Sequence, residues 1–385
     1  MKKTLGFLTN ADVYVKSGAT LLNRLFIVYP KLVMSRMPNR TMNTPVRHGA
    51  VAGHSADGEL PQGDDRRSWL DVATTDAEDA ANIQRLWMPI EYDQIDAGAF
   101  AGRFQQLGFK NTLVATERQN RAVLKRHYFP ADYCTVSLIR SISGRGRCGL
   151  DAFSERIVAY MPGGQDYEIV MPASEVVFFR VDQDRFLSAV DALGYDMPGG
   201  GRQTLILDNR NPGYLDDVAT ALVSIQHSSA SNEFAALDHS YLDEAVLERL
   251  IGVLLGSTME TTRALPVSAH RITKAAHALI EDSAAGPFTV MALCKELGVS
   301  RASLQRSFLQ IYGVSPLAYL RMRRLNSARR ALRTAQGSDL TVAAVAMRWG
   351  FFHFARFSQD YFHQFGELPS ATLGGTGRMK ARSGR

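Results

Sequence analysis

The feature that most constrains this 385-residue sequence is an internal repeat in its last third. Residues 293–316 (LCKELGVSRASLQRSFLQIYGVSP) and 345–369 (VAMRWGFFHFARFSQDYFHQFGELP) share apolar spacing, a turn glycine and a closing Gly-x-x-Pro. Gly298 aligns with Gly350 at an offset of 52 residues, and Pro316 aligns with Pro369 at an offset of 53 after one inserted residue. Such self-similarity indicates one supersecondary unit used twice.

The first copy predicts a helix, a tight turn and a second helix. Thr289 is placed to cap the first helix, and Gly298 supplies the positive φ that ends it. Ser300 is placed to cap the second helix. The residues predicted to face the core of that helix recur at helical spacing: Leu304, Phe308 and Ile311.

The second copy predicts the same arrangement. Thr341 caps a first helix, Gly350 and Phe351 form the turn, and the second helix runs from about Phe352 to Phe365. Trp349 is predicted to be a core residue. The predicted core positions of the second helix are Phe357, Tyr361 and Phe365.

Both copies predict contact with DNA through the first turns of the second helix. In a helix-turn-helix unit these turns meet base edges in the major groove, where Arg pairs with guanine and Gln with adenine. Phe354 also fits a core position, and the pattern leaves both roles open. The candidate contacts are Arg301, Ser303, Gln305 and Arg306 in the first copy and His353, Phe354, Arg356 and Gln359 in the second.

A basic helix is predicted between the two copies. Ser315 and Pro316 form a favourable cap and first turn. An apolar stripe is assigned to Leu317, Leu320, Leu325, Ala328 and Leu332, and the remaining surface to Arg321, Arg323, Arg324, Arg329 and Arg330. These arginines either contact DNA phosphates or solvate the helix. A rigid helix here would hold the two recognition helices about one DNA turn apart, ~34 Å.

The charge is divided unevenly along the chain. Residues 266–385 hold 17 basic and 6 acidic residues, whereas residues 1–265 hold 27 basic and 32 acidic residues. A basic segment beside an acidic one is typical of a chain in which one part binds a polyanion. The charge therefore agrees with DNA as the partner of the repeat.

The N-terminal part predicts a different architecture. Short β-rich runs separated by turn signals indicate a β-rich sandwich or cupin-like domain, with helices late in the segment near Asp182, at 212–228 and at 239–256. The chain is thus predicted to be a multidomain α+β protein with an all-α double helix-turn-helix domain. The predicted boundaries are a weakly structured segment 1–76, an effector-binding or dimerisation domain 77–256, a linker 257–266, a DNA-binding domain 267–373 with units at about 289–312 and 341–365, and a basic disordered tail 374–385.

No catalytic, metal-binding or cofactor-binding pattern is visible, so the chain is predicted not to be an enzyme. His127 stands apart from other metal-ligand residue types, and no nucleophile elbow is present. Cys134, Cys148 and Cys294 form no CxxC pair, which argues against a zinc or redox site. No apolar run approaches the ~18 residues of a membrane span and no secretory signal is visible, so a cytoplasmic location is expected.

The repeat segment resembles the double helix-turn-helix domain of AraC/XylS-type transcriptional regulators. The resemblance rests on LGVSRASLQRSF, YGVSPLAYLRMRRLNSARRAL and VAMRWGFFHFARFSQDYFHQFGELPS, in that order. It implies two recognition helices in successive major grooves of a promoter, with Gln305 and Arg306 reading bases. Ala302, Ala355 and Gln359 depart from the larger or more basic residues frequent there.

A narrower resemblance, to ethanolamine-utilisation regulators, involves RWGFFHFARFSQDYFHQFGELPSATL and the region from YDQIDAGAFAGRF to MPGGQDYEIV. It implies an N-terminal domain that binds a small effector and supports a homodimer. The expected partners are double-stranded DNA, an effector not identified by any residue, a second copy of the chain, and RNA polymerase.

Two alternatives stay open. In the first, the chain is an effector-independent DNA-binding regulator whose N-terminal half only dimerises. An enzyme fused to a DNA-binding domain, such as a DNA alkyl-transfer repair protein, would need a reactive cysteine.

Overall fold

The computed structural model describes residues 69–109, 111–149, 151–155, 157–208, 239–255, 258–259, 267–281, 288–335 and 340–375. The helix predicted at 212–228, the predicted linker apart from 258–259, and most of the predicted N-terminal segment and tail lie outside these residues. Within the predicted weakly structured segment 1–76, residues Trp69–Thr74 form a strand that pairs with Gly102–Phe109. That part of the prediction is wrong because the strand is stabilised by pairing with Gly102–Phe109, a segment distant in the sequence.

The β-rich domain contains two antiparallel sheets, as the sequence predicts. The larger sheet has the order β1-β3-β4-β11-β6-β9-β12-β13 and the smaller has the order β2-β5-β10-β7-β8. The strands are β1 Trp69–Thr74, β2 Ile90–Gln94, β3 Gly102–Phe109, β4 Thr112–Gln119, β5 Val123–Phe129, β6 Tyr133–Ile142, β7 Gly146–Cys148, β8 Asp151–Phe153, β9 Ile157–Met161, β10 Gln165–Met171, β11 Ser174–Asp182, β12 Leu205–Asp208 and β13 Thr258–Met259.

Apolar side chains of both sheets form one core cluster, in which Ile90 and Phe129 of the smaller sheet join Ile139 and Val176 of the larger. Among the residues that the structure describes, three α-helices accompany the sheets: α1 Ala77–Gln84, α2 Gln183–Ala192 and α3 His239–Leu255. α2 begins where the sequence predicts, because the Asp182 carboxylate accepts a hydrogen bond from the Arg185 backbone N–H at 2.7 Å.

The β-rich runs that the sequence predicts include 92–96, 100–109, 112–120, 134–142, 156–162 and 175–181. Four strands of the smaller sheet, β5, β7, β8 and β10, fall outside these runs. β5 has the sequence VLKRHYF, in which Lys125, Arg126 and His127 interrupt the apolar pattern expected of a strand with one buried face. All three are paired or packed through tertiary contacts, which no local pattern reveals.

The C-terminal segment is helical: α4 Val267–Glu281, α5 Val290–Leu297, α6 Arg301–Ile311, α7 Pro316–Thr334, α8 Val342–Arg348, α9 Phe354–Phe365 and α10 Pro369–Gly374. Its apolar side chains form two clusters, one for each copy of the repeat. The long helix α7 contributes Leu320 to the first cluster and Leu332 to the second, so it joins the two units.

The predicted caps are present. The Thr289, Ser300, Ser315 and Thr341 hydroxyls each accept a hydrogen bond from a backbone N–H three residues later. Gly298 has φ 61°, the left-handed conformation that ends α5. The helix boundaries therefore follow from local sequence.

Two details of the helical prediction are wrong. The second recognition helix begins at Phe354 rather than Phe352. Leu317, assigned to the apolar stripe of α7, is 64% exposed, because it lies on the side of the helix away from both clusters.

Candidate nucleic-acid interface and the cavity of the β-rich domain

The surface of α6 presents polar side chains over a buried apolar face. Leu304, Phe308 and Ile311 pack into the first cluster, as predicted. This burial leaves three of the predicted contact residues exposed: Arg301, Gln305 and Arg306. The fourth, Ser303, is half-buried beside the Ser300 hydroxyl. Among the described residues neither arginine forms an ion pair, so both guanidinium groups face solvent ready for an anionic or hydrogen-bonding partner.

The corresponding surface of α9 carries an acidic residue. Arg356 is exposed and pairs with Asp360 one turn later, at 3.1 Å, and Arg321 of α7 contacts the same carboxylate. Phe354 is 44% exposed, so its side chain is not part of the core. His353 and Gln359 are exposed as well. The second surface is thus more aromatic and less basic than the first.

The arginines of α7 do not form a free basic face. Asp93 on β2 is 0% exposed and contacts Arg330 at 3.0 Å, Arg126 at 3.0 Å, and Arg323. Burial alone would raise the pKa of Asp93, but the guanidinium groups of Arg323, Arg330 and Arg126 hold it below its usual value. The interpretation of Arg323 and Arg330 as phosphate contacts or as solvated residues is wrong.

A second acidic group lies at the start of α1. Asp76 contacts Arg329 and lies 3.2 Å from Arg333, which also pairs with Asp79. Asn326 strengthens the same interface, because its side-chain amide accepts from the Gln94 backbone N–H and donates to the Gln94 carbonyl, both at 3.1 Å. Arg329 and Arg333 are thus paired with carboxylates of the β-rich part of the chain, and the interpretation of Arg329 as a phosphate contact or a solvated residue is wrong as well.

The β-rich domain also contacts the first helix-turn-helix unit at the end of its recognition helix. Arg147 on β7 donates to the carbonyl of Ile311 at 3.1 Å. The Tyr312 hydroxyl donates to Glu168 on β10 at 3.0 Å. Both contacts satisfy groups at the carboxyl end of α6, away from the N-terminal turns that carry the candidate DNA contacts.

The second unit is attached at the equivalent end of α9. The backbone N–H of Gly98 lies 3.1 Å from the carbonyls of His363 and Gln364. The buried Gln364 amide donates to the carbonyls of Gln94 and Asp96 at 2.9 and 3.0 Å. Gly366, with φ 74°, lies so close to Ala99 that a Cβ there would approach the Ala99 backbone N to 2.9 Å. The β-rich domain therefore holds α6, α7 and α9 at three places.

Between the two sheets lies a cavity of about 90 Å³. Its walls are mostly aromatic and aliphatic, and include Trp87, Phe129, Phe153 and Phe178. Four buried polar side chains in the lining satisfy one another. Lys125 pairs with Glu117 at 2.8 Å, the Tyr92 hydroxyl donates to Glu117 at 2.9 Å, and the Gln84 amide donates to Tyr92 at 2.6 Å.

Two further polar groups in the lining have no protein partner among the described residues. They are both ring nitrogens of His127 and the hydroxyl of Thr135. Burial, with a smaller contribution from Lys125, lowers the pKa of His127 to about 3, so the imidazole is neutral. Cys148 also lines the cavity, and burial raises the pKa of its thiol to about 12.

The smaller sheet separates this cavity from the helical segment. Successive side chains of a strand point to opposite faces. On β2, Tyr92 lines the cavity and Asp93 contacts α7; on β5, Lys125 and His127 line the cavity and Arg126 contacts Tyr319 of α7 at 3.2 Å. One strand thus carries both a cavity residue and an interface residue at adjacent positions.

The comparisons with known proteins concern mainly the helical segment. Residues 293–374 match the family model described as a helix-turn-helix domain. Over 94 residues the chain is 37% identical to a probable thc operon regulatory protein of Rhodococcus erythropolis, covering 24% of this chain and 28% of that protein. Over 75 residues it is 37% identical to a XylDLEGF operon transcriptional activator of Pseudomonas putida, covering 20% and 23%. The chain therefore spans about a quarter of the length of these curated relatives.

These matches and the geometry of α5–α10 define the C-terminal segment as a helix-turn-helix DNA-binding domain. The resemblance of this segment to the AraC/XylS-type transcriptional regulators agrees with these matches, which cover about a quarter of each relative. The narrower likeness to ethanolamine-utilisation regulators gains no support from these matches and stays a prediction.

Solved structures of two regulators cover more of the chain. The alignment with the AraC-like transcriptional activator CuxR covers 67% of this chain and 95% of the CuxR chain, at 15% identity and a TM-score of 0.35. The alignment with ToxT from Vibrio cholerae O395 covers 74% of this chain and 97% of the ToxT chain, at 13% identity and a TM-score of 0.25. Scores this low support no inference about function.

Sequence reasoning located the recognition helices but not the residues of the cavity. In the sequence His127 is an isolated histidine, and the signal that could locate it is its spacing of two residues from Lys125, which places both on one face of a strand. Among the described residues, no group of three or more His, Cys, Asp or Glu is placed to hold a metal ion. The described helices include none long and apolar enough to cross a bilayer.

Proposed function

We propose that the whole chain is a sequence-specific DNA-binding transcriptional regulator whose β-rich domain responds to a small-molecule effector. α6 and α9 would enter successive major grooves, with α7 setting their separation. Arg301, Gln305 and Arg306 would contact bases or phosphates in one groove, and Ser303 would contact a phosphate beside them. His353, Phe354, Arg356 and Gln359 would contact the next groove.

The two surfaces support unequal roles. On α6, Gln305 and Arg306 are side chains suited to adenine and guanine, and neither pairs with an acidic residue among those described. On α9, Arg356 shares Asp360 with Arg321, and a carboxylate repels phosphates. We therefore assign base recognition mainly to α6, and assign contacts with shape, thymine methyl groups and phosphates to α9.

The single observation that carries the effector response is the smaller sheet, one face of which lines the cavity while the other contacts the helical segment. A ligand that moves β2 or β5 by a fraction of an ångström changes the positions of Asp93 and Arg126 directly, since these alternate with cavity residues along the same strands. A ligand shifts an equilibrium only through different affinities for two arrangements. We propose that the two arrangements differ in how α7 is held.

The DNA-binding part is tested by selecting bound sequences from random duplex DNA with the full-length chain, and then titrating salt. Several phosphate contacts require the logarithm of the binding constant to fall steeply with the logarithm of the salt concentration. The double variant Arg301→Ala/Arg306→Ala should reduce the slope and the sequence preference. Binding without sequence preference and with a flat salt response would reject the proposal.

The effector part is tested on the same DNA. Compounds that raise the melting temperature of the full-length chain are first identified, since a ligand specific to the folded state stabilises it. Each is then added to the DNA-binding titration, and a change in affinity supports the effector response. If every stabilising compound leaves the DNA affinity unchanged, the result favours instead a regulator whose N-terminal half only dimerises.

A further inference from the structure

We propose that the cavity between the two sheets binds an uncharged, largely apolar molecule that carries a hydroxyl group, and that His127 is the residue that recognises this hydroxyl. The inference names the chemical class of the effector and rests on the effector response proposed above for its biological role. It concerns a site made only of residues of the β-rich domain.

The apolar part of the ligand follows from the walls. Most of the lining is aromatic or aliphatic, and Trp87, Phe129, Phe153 and Phe178 supply ring faces and edges. Pockets of this kind bind through apolar contact and orient their ligand with a small number of polar groups. The cavity of about 90 Å³ fits a molecule of about one aromatic ring rather than a long chain.

The absence of charge on the ligand follows from the ion pair that is already closed. Lys125 and Glu117 are both buried, lie 2.8 Å apart, and receive further support from Tyr92. Neither charge is left over for a ligand. The Arg180 guanidinium, half-buried in the lining, lies over the ring of Tyr133 at 4.8 Å and that of Trp87 at 5.7 Å. A cationic ligand would meet the like charges of Lys125 and Arg180, and an anionic ligand would have to replace the ring contacts of Arg180, whereas a neutral ligand leaves all of these contacts in place.

The hydroxyl follows from His127. The side chain is 8% exposed, lines the cavity, and has no protein partner at either ring nitrogen among the described residues. Because the pKa of His127 is lowered to about 3, the ring has one N–H donor and one lone-pair acceptor at neutral pH. A hydroxyl is both donor and acceptor and can satisfy either nitrogen, whereas a carboxylate can only accept.

A second unpartnered group lies on the opposite wall. Thr135 is on β6 of the larger sheet and His127 is on β5 of the smaller, and both line the cavity. The Thr135 hydroxyl also lacks a protein partner among the described residues. Unsatisfied buried polar groups are costly, so a ligand that supplies hydrogen bonds to both walls is favoured over one that is wholly apolar.

Three matched probes test the proposal by calorimetry with the full-length chain. Phenol carries the hydroxyl, toluene replaces it by a methyl group, and benzoate replaces it by a carboxylate. We expect phenol to bind on the order of 10-fold more tightly than toluene, because a site that hydrogen-bonds a hydroxyl rejects the analogue that lacks it. Benzoate should bind more weakly than phenol.

Three variants assign the preference to a residue. His127→Phe should bind toluene as the wild type does but lose the preference for phenol. His127→Gln, which keeps a donor and an acceptor, should retain most of it. Tyr128→Phe is the control, because Tyr128 lies on the same strand with its side chain 40% exposed, outside the cavity lining. Thermal melts check that each variant is folded.

Equal binding of phenol and toluene to the wild type would overturn hydroxyl recognition. Benzoate binding more tightly than phenol, and lost in Arg180→Met, would show an anion site instead. If none of the probes binds, the proposal is also overturned, because water alone then satisfies the ring nitrogens of His127. Phenol binding that leaves DNA affinity unchanged supports the site and rejects the effector response, so the two proposals fail separately.

Discussion

The two helix-turn-helix units are copies of one pattern that differ in how their recognition helices begin and in which charges they carry. Both end the first helix with a glycine of positive φ and bury three apolar residues of the second. α6 begins at a side-chain cap, since Ser300 accepts from the Ser303 backbone N–H at 3.1 Å. α9 begins at His353 with no side-chain cap bond. The two copies therefore share their fold but not the exposed surface of the second helix.

Both units share one support. α7 joins them, and the β-rich domain holds α7 through Asp93 and the carboxyl ends of α6 and α9 through backbone carbonyls. The relative position of the recognition helices is thus fixed at their far ends, and the N-terminal turns stay exposed. The two recognition helices keep their relative position only while that support is intact.

The largest effect is expected from Asp93→Asn. Removing one partner of a buried ion pair typically costs about 3–5 kcal/mol, and here three guanidinium groups lose their shared carboxylate. Denaturant unfolding should show this loss, and hydrogen exchange should increase in both units alike. The control Glu91→Gln removes a side chain that is 46% exposed and lies 3.7 Å from Arg126, so its effect should be below about 1 kcal/mol. Faster exchange in only one unit would show that the support is not shared.

The same carboxylate gives a pH test. Because the pKa of folded Asp93 lies below its ordinary value of 3.8, its stabilising contribution is complete above that pH and is lost as the pH falls through the lower folded pKa. The stability difference between the wild type and Asp93→Asn should therefore be constant from pH 5 to 7 and shrink in stronger acid. A difference that grows on acidification would contradict this assignment.

The next largest effect, on DNA affinity, distinguishes the exposed surface of α6 from that of α9. Arg306→Ala should weaken binding to the selected DNA by about 1–3 kcal/mol and relax the base preference at one position, as expected for a base contact. Arg356→Ala should have a smaller effect, because Arg356 already pairs with Asp360. Fluorescence anisotropy on matched and single-mismatch duplexes measures both. A larger loss for Arg356→Ala would reverse the order of the two units.

The caps give a third, smaller contrast. Ser300→Ala should destabilise the chain by about 1 kcal/mol, since one backbone N–H of α6 loses its partner. His353→Ala at the start of α9 should change stability by less than half of that, because no side-chain cap is lost there. Urea unfolding of both variants measures the difference, and equal losses would mean that His353 stabilises α9 in another way.

The smallest effect is expected from Asp360→Asn. It frees Arg356 and Arg321 for phosphates, so DNA affinity should rise by a few tenths of a kcal/mol to about 1 kcal/mol and the salt dependence should steepen. Glu296→Gln, on α5 of the first unit, is a control that changes the same net charge without touching those arginines. An equal rise in the control would show a general charge effect rather than release of the arginines.

The local features of the helical segment were predictable because each depends on residues close in sequence. The four side-chain caps, the glycine turns and the buried residues of α6 and α9 lie where the repeat predicts them. The contact residues themselves stay a prediction, since exposure is necessary for DNA contact but does not establish it. Phe354, ambiguous in the sequence, is exposed only because Phe357 and Tyr361 fill the core.

The smaller sheet was not predictable in the same way. Its strands β5 and β10 carry Lys125, Arg126, His127 and Glu168, which look like surface residues when only the sequence is considered. Two of them have partners far away in the chain, since Arg126 contacts Tyr319 and Glu168 contacts Tyr312. Pairing across such distances converts polar residues into interior ones without leaving any periodic signal.

By itself the sequence determined the repeat: two helix-turn-helix units, their caps and the basic helix between them. These follow from 3.6-residue periodicity and from short-range hydrogen bonds, which act within a few residues. Only the tertiary structure decided what the basic helix does. Arg323, Arg329 and Arg330 carry the charge expected of a DNA contact, but each is paired with Asp76 or Asp93. Charge is a property of the chain, whereas the partner of a charge depends on which residues folding brings within a few ångströms of it.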